Sequence, residues 1–266
     1  MSIHRIVAGV VALIVGTTTV AACGSDGNGS ASSNAASTAS TASSISSGLP
    51  QGSEKVKLDP ADFTTELDNP YWPMKPGARW VYDSGDSKGV REKAVVEVTN
   101  RTKRIANGVV ARVIRDTVTE KGELIEVTDD WYAQDRAGNI WYLGEYVTNY
   151  ENGKVTDHDG SFEAGVDGAE AGVAMPADPK AGMTYRQEYY KGEAEDKAGV
   201  VSVGLEQVEV PFGFYNKDVL MTRDLVPTEP KVQELKFYAR GVGPLLSLHT
   251  DGTFGRAALV SYTPGR

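Results

Sequence analysis

Few side chains in this sequence have the types and spacing for chemistry. A Gly-x-Ser-x-Gly pattern runs through Gly85-Asp86-Ser87-Lys88-Gly89. It is the residue set of a hydrolase nucleophile elbow, which exposes its serine only when a buried strand enters the turn and a helix leaves it. Here the alternating run Val90–Thr99 follows, so Ser87 is expected at a hairpin tip. His158, in Asp157-His158-Asp159-Gly160, and His249, in Leu248-His249-Thr250-Asp251, each set an imidazole beside a carboxylate, the minimum of a general base. Neither has a nucleophile at a recognisable spacing. Asp157, Asp159, Glu163 and Asp167 offer oxygen ligands on a glycine-rich stretch, but Phe162 stands where a calcium loop needs glycine. They read as solvated loop acids. The expectation is no enzyme, no metal and no cofactor, with a hydrolase using Ser87 the least favoured reading.

Composition narrows the field further. One cysteine excludes an internal disulfide and every cysteine-rich metal site, and three histidines leave little for an imidazole-built one. The formal net charge of -9 argues against a nucleic-acid partner, which needs clustered cations.

The lone thiol is the strongest signal. His4 and Arg5 precede an apolar run from Ile6 to Val20, near the length of a signal h-region and short for a membrane-spanning helix. The run ends in Val20-Ala21-Ala22-Cys23, which resembles the lipobox of bacterial lipoproteins. That resemblance implies cleavage before Cys23, a diacylglycerol on its thiol and a further acyl chain such as palmitate on the new N-terminus. Two or more acyl chains make anchoring essentially stable, whereas one would be marginal. The expected location is the extracytoplasmic face of the cell membrane.

These assignments divide the chain into a signal peptide at 1–22, a lipidated tether at 23–57 and a single domain at 58–266. The tether is Ser, Ala, Thr, Gly and Asn with no aromatic residue, too polar to offset the entropy of ordering it. Its mean reach is about 30 Å. Loss of Arg5 with the leader shifts the net charge from -9 to -10, and all of it falls on the domain. A solvated acidic surface is the expected result.

The elements that must position any site read as strands: short alternating runs rich in Val, Thr, Tyr and Trp between Gly, Asn and Asp turns. Lys121-Gly122 and Asn152-Gly153 are hairpin turns. In Glu123–Gln134, Ile125, Val127, Trp131 and Ala133 share one parity and Glu126, Thr128 and Asp130 the other, the pattern of a half-buried strand. Residues 160–182, with glycines and two prolines, read as a long loop, and Gly199–Val210 as one strand. A short helix fits only at Asp59–Leu67, with Asp59 as cap and Pro60 in the first turn. The fold class is all-β, an antiparallel meander forming a half-open barrel or strongly curved sheet behind an unstructured tether.

Asn69-Pro70-Tyr71-Trp72-Pro73-Met74-Lys75-Pro76-Gly77, Trp131-Tyr132-Ala133-Gln134-Asp135, Asn139-Ile140-Trp141-Tyr142 and Tyr238-Ala239-Arg240-Gly241-Val242-Gly243 occur in that order. They resemble the recurring signatures of a family of secreted bacterial β-rich proteins without an assigned activity, over residues 62 to 262. The lipid-anchored meander is also loosely similar to half-barrel carriers of the LolA/LolB and LppX/LprG kind. The leading expectation is therefore a non-enzymatic carrier for an apolar ligand, such as a lipid, or an envelope protein. Its concavity would be lined by some of Trp80, Trp131, Trp141, Tyr142, Tyr185 and Phe237. The alternative is a structural or interaction module of the cell envelope with a filled barrel.

Overall fold

A computed structural model describes residues 48–86, 89–227, 233–250 and 255–266. Val20, Ala21, Ala22, Cys23 and Ser87 lie outside the described residues. The described chain is built almost entirely from antiparallel strands: β1 (Phe63–Thr64), β2 (Arg79–Gly85), β3 (Arg91–Arg104), β4 (Val110–Glu120), β5 (Glu123–Asp135) and β6 (Ile140–Glu151). These are followed by β7 (Lys154–Asp157), β8 (Phe162–Glu163), β9 (Glu170–Met175), β10 (Thr184–Arg186), β11 (Glu188–Tyr189) and β12 (Lys197–Val203). The last six are β13 (Val208–Val210), β14 (Gly213–Tyr215), β15 (Val219–Leu225), β16 (Gln233–Ala239), β17 (Gly243–His249) and β18 (Arg256–Thr263).

The main sheet runs β10-β12-β15-β16-β17-β18-β2-β3-β4-β5-β6-β9-β11, while β13 and β14 form a separate hairpin. Local pairings dominate because the turns dictate them. Lys121 and Gly122 both take positive φ between Glu120 and Glu123, as do Asn152 and Gly153 between Glu151 and Lys154. Both are two-residue hairpin loops, whose geometry matches the twist of their strands.

The sheet curls into a nearly closed barrel with one seam. Its two end strands, β10 and β11, are separated in the chain by Gln187 alone, so the polypeptide itself crosses the gap. Gly172 on β9 makes the approach feasible, since a Cβ there would overlap the Gln187 carbonyl. Arg186 then stitches the seam. It is buried, and it donates from Nη2 to the Ala171 carbonyl of β9 at 2.6 Å and from Nη1 to the carbonyls of Gly52 and Glu54, the latter at 2.8 Å. The Arg186 amide donates to the Pro50 carbonyl at 2.6 Å, and the Val56 amide to Glu170 on β9 at 3.1 Å. Packing thus begins upstream of Leu58, because the end of the expected tether straps the seam.

The proline-rich entry segment plugs one end of the barrel. Trp72 packs against both Tyr132 and Tyr238, with ring centroids 5.7 and 6.2 Å away, and the Gly241 amide donates to the Pro70 carbonyl. The helix expected at Asp59–Leu67 is reduced to one 3-10 turn, Pro60–Asp62, capped by Asp59.

Two strand boundaries differ from the sequence reading. Residues 160–182 contain β8 and β9, whose short apolar runs Phe162 and Ala171–Met175 find partners on β6. Gly199–Val210 is broken after Val203 by Gly204, which has positive φ, and its end becomes an arm of the β13–β14 hairpin.

An acidic barrel interior as the candidate functional site

The polar side of β5 faces inward. Glu126, Thr128 and Asp130 are 2%, 1% and 3% exposed, which reverses the expectation that this parity meets solvent. Register carries the inward face around the barrel. Tyr82 pairs with Ala94, Val96 with Asp116, Asp116 with Thr128, and Asp130 with Glu145. On the far wall, Thr222 pairs with Lys236, Lys236 with Ser247, and Asp224 with Glu234.

The two walls differ in how their charge is met. On β15 and β16, Lys236 lies 2.5 Å from Asp224 and 3.2 Å from Glu234, and all three are buried. Burial pulls the ammonium down, but the two carboxylates hold it well above its ordinary value. On β4, β5 and β6, no ion pair among the described residues reaches Asp116, Glu126, Asp130 or Glu145. Asp130 accepts from the Tyr142 hydroxyl at 3.0 Å, and Glu126 from Thr128 at 3.0 Å. Asp116 Oδ1, Glu126 Oε2, Glu145 Oε2 and the Tyr132 hydroxyl are buried without a hydrogen-bond partner among the described residues.

Such groups respond by holding protons, since an ionised carboxylate without a partner is costly in low dielectric. Burial pushes Glu126 up to about 7, and burial with the neighbouring Glu126 and Asp129 charges pushes Asp130 up to about 7. Burial and the surrounding acids drive Asp116 and Glu145 well above the carboxylate range. Near the seam, Glu188 and Asp196 form a second buried acid pair. Burial and the Asp196 charge raise Glu188 well above its ordinary value, and burial raises Asp196 to about 6.

The six aromatics expected to line a concavity fall on both sides of the sheet. Tyr142 is inward and stacks on Tyr132 with centroids 5.0 Å apart. Tyr185 is buried within reach of the charges of Asp224 and Lys236, and Trp80 closes one end, donating to the Val242 carbonyl at 2.7 Å and stacking on Tyr262. Trp131 has the opposite parity to Asp130 and lies under the Lys103 ammonium, 3.7 Å from the ring centroid. Trp141 donates to Asp135 at 2.8 Å and meets Phe63 of β1 edge-on. Phe237 points away from its inward neighbours Lys236 and Tyr238, pairing with Met221 and Leu246. No single apolar surface joins the six.

Of the Gly85–Gly89 pattern, Ser87 lies outside the described residues, and the strands on either side, β2 and β3, pair antiparallel. His249 Nε2 stands 3.7 Å from Glu234 Oε1, beside a pocket of about 10 Å³, room for one water, bordered by Ser84, Asp86 and Glu92. His158 is held by the Val147 carbonyl at 2.7 Å and the Tyr146 hydroxyl at 3.2 Å. Two of the four acids are engaged with the protein, Asp157 accepting from Asn149 at 2.6 Å and Glu163 pairing with Lys103 at 2.8 Å. Among the described residues no group of three or more acidic, histidine or cysteine side chains could hold a metal ion.

Of the missed residues, Glu126 and Asp130 sit on the strand expected at Glu123–Gln134, while Asp116, Glu145, Asp224 and Lys236 lie on β4, β6, β15 and β16. The signal that could have found them is the alternation Glu126-x-Thr128-x-Asp130, had its polar parity been assigned to a barrel lumen.

No protein-family model and no curated protein matches the chain. Two solved structures are similar in the course of the chain. One, from Bacteroides fragilis, is described as a candidate exported protein with a YmcC-like fold. It is 15% identical with a TM-score of 0.41, over 73% of this chain and 99% of that one. The other, from Parabacteroides distasonis, is described as a candidate lipoprotein. It is 12% identical with a TM-score of 0.38, over 73% of this chain and 98% of that one.

Proposed function

We propose that this chain is a lipid-anchored, extracytoplasmic binding protein without catalytic chemistry, and that its ligand enters the barrel. The anchor rests on Val20-Ala21-Ala22-Cys23 and the polar tether behind it. The binding reading rests on one observation above all: buried oxygens of Asp116, Glu126, Glu145 and Tyr132 face the interior with no partner among the described residues. An unmet buried polar group costs about 1–3 kcal/mol, so an interior that keeps several is suited to a guest that satisfies them. The expected ligand is therefore polar where it meets β4–β6, in place of the apolar one expected from the sequence.

The test has two parts. A host fed labelled palmitate should label the wild-type chain and leave a Cys23→Ala variant unlabelled and released from membranes; label on the variant would overturn the anchor. Gentle native mass spectrometry of the purified chain should show a reproducible added mass. A clean apo mass would favour an interaction module. That second reading has its own support, since Leu205 and Phe214, on and beside the β13–β14 hairpin, are 81% and 57% exposed.

A further inference from the structure

We infer that the β13–β14 hairpin and the turn leading into it form a docking surface for a lipid bilayer, with Leu205, Phe212 and Phe214 entering its interfacial layer. The inference goes beyond ligand binding and rests on the anchored part of the reading above.

The three side chains are presented by fixed backbone. The Gly204 amide donates to the Val219 carbonyl at 2.8 Å and the Ser202 hydroxyl to Glu206 at 2.7 Å, which closes the turn that carries Leu205. In the hairpin Val208 and Val210 are buried, so the alternate residues face away from the barrel. Phe214, opposite Glu209, is one of these. The tip is pinned as well. The Phe212 amide donates to the Leu259 carbonyl of β18 at 3.0 Å, and its ring meets Tyr262 edge-on at 6.3 Å. Pro211 and Phe212 fill the two loop positions between Val210 and Gly213, where hairpins ordinarily carry Asn, Asp or Gly. Leu205, Phe212 and Phe214 nonetheless stand exposed, and the bulge in β12 adds Val201. Leu and Phe on one side of an element are the residues that interfacial segments bury about 5–10 Å into the headgroup boundary.

The course of the chain favours a bilayer as the occupant. Read backward, the strap passes from Val56, beside Glu170 on β9, to Gln51 and Pro50 on β10. The chain upstream of Gly48 therefore leaves on the β10 side of the seam. The partner of β10 there is β12, the strand that runs on into Gly204 and Leu205. A Ser-, Ala- and Gly-rich chain of the length between Cys23 and Gly48 reaches about 25–30 Å on average. An anchored Cys23 thus keeps the domain near the bilayer at an effective concentration of about millimolar, at which a weak contact is populated.

The size of the patch points the same way. Its side chains offer on the order of a few hundred Å², short of the about 800 Å² that each partner gives to a stable protein interface. A bilayer contact held by an anchor needs less. The formal net charge of -9 brings no attraction to anionic headgroups, so the contact is apolar and depends on the anchor.

The test uses the full lipidated chain in phosphatidylcholine vesicles. With Cys23 lipidated, an introduced cysteine is the sole free thiol. An environment-sensitive dye goes on Gln207→Cys, beside the patch, or on Glu123→Cys in the β4–β5 turn, which the register places at the other end of the barrel. Lipids with brominated acyl chains should quench the first label several-fold more than the second. Adding Leu205→Ser and Phe214→Ser should lower the docked-to-undocked ratio about tenfold or more, while the chain still floats with the vesicles. Equal quenching at the two labels, or unchanged quenching in the folded Leu205→Ser/Phe214→Ser chain, would overturn the inference and leave the anchored reading standing. If that variant fails to fold, the comparison of the two labels decides. A floating chain that forms a dimer through Leu205 and Phe214, with its Gln207→Cys label unquenched, would give the patch to a second copy and overturn the inference. A chain that does not float would overturn both.

Discussion

Asp130 and Glu145 stand directly opposite each other on β5 and β6, both almost fully buried, and no cation among the described residues pairs with either. Opposed like charges in a sheet destabilise it, so one or both carboxyls must carry a proton.

This pairing sets an unusual pH dependence. Carboxyls raised in the folded state bind protons more tightly there than in the unfolded chain. Their stabilisation is complete below the unfolded value of about 4 and is lost as pH rises through the folded value. For Glu126 and Asp130 that value is about 7. Each forfeits about 1.4 kcal/mol per pH unit in that window. The melting temperature should fall by about 5 °C or more between about pH 5 and about pH 8. Scanning calorimetry across that range checks it; a flat or rising profile would contradict the buried acidic wall.

Lys236 carries the far wall. Lys236→Met should leave Asp224 and Glu234 buried without their cation and cost about 3–5 kcal/mol. Adding Asp224→Asn should recover part of that loss. Chemical denaturation of the two variants measures the difference.

The seam depends on Gly172. A methyl group in Gly172→Ala would drive into the Gln187 carbonyl and separate β9 from the β10–β11 crossing. A loss of about 2 kcal/mol or more is expected. Hydrogen exchange should quicken first at β10 and β11, while the β3–β4 hairpin keeps its protection.

Arg186→Ala should release the segment before Lys57. It removes donors to Gly52, Glu54 and Ala171 together and leaves their carbonyls to find water. Limited proteolysis should then cut between Gly48 and Lys57 several-fold faster, at a global cost of about 2–4 kcal/mol.

The strands and tight turns were legible because hairpin chemistry is local: Asn152-Gly153 and Lys121-Gly122 form the turns their residues demand. The cap at Asp59 was equally local. The site was not legible, for a physical reason. Along β5 the same alternation serves an exposed strand and a strand lining a polar lumen, and only closure of the sheet tells them apart. The aromatics hid the answer in the same way: Trp131, expected to line the concavity, and its neighbour Tyr132 take opposite sides, and the inward one is the tyrosine. The strap over the seam was hidden because Leu49, Pro50 and Val56 look like the end of a polar tether until Arg186 collects their neighbours' carbonyls.

That strap has a mechanical consequence. Any pull on the chain ahead of Gly48 arrives first at Pro50, Gln51, Gly52 and Glu54, and passes through Thr184 and Arg186 of β10 into the seam, where the sheet has no ladder of its own. Load on the leader side is therefore delivered to the joint between β9 and β10, where a few bonds converge on one guanidinium. The long ladder of β3, β4 and β5 bears it last.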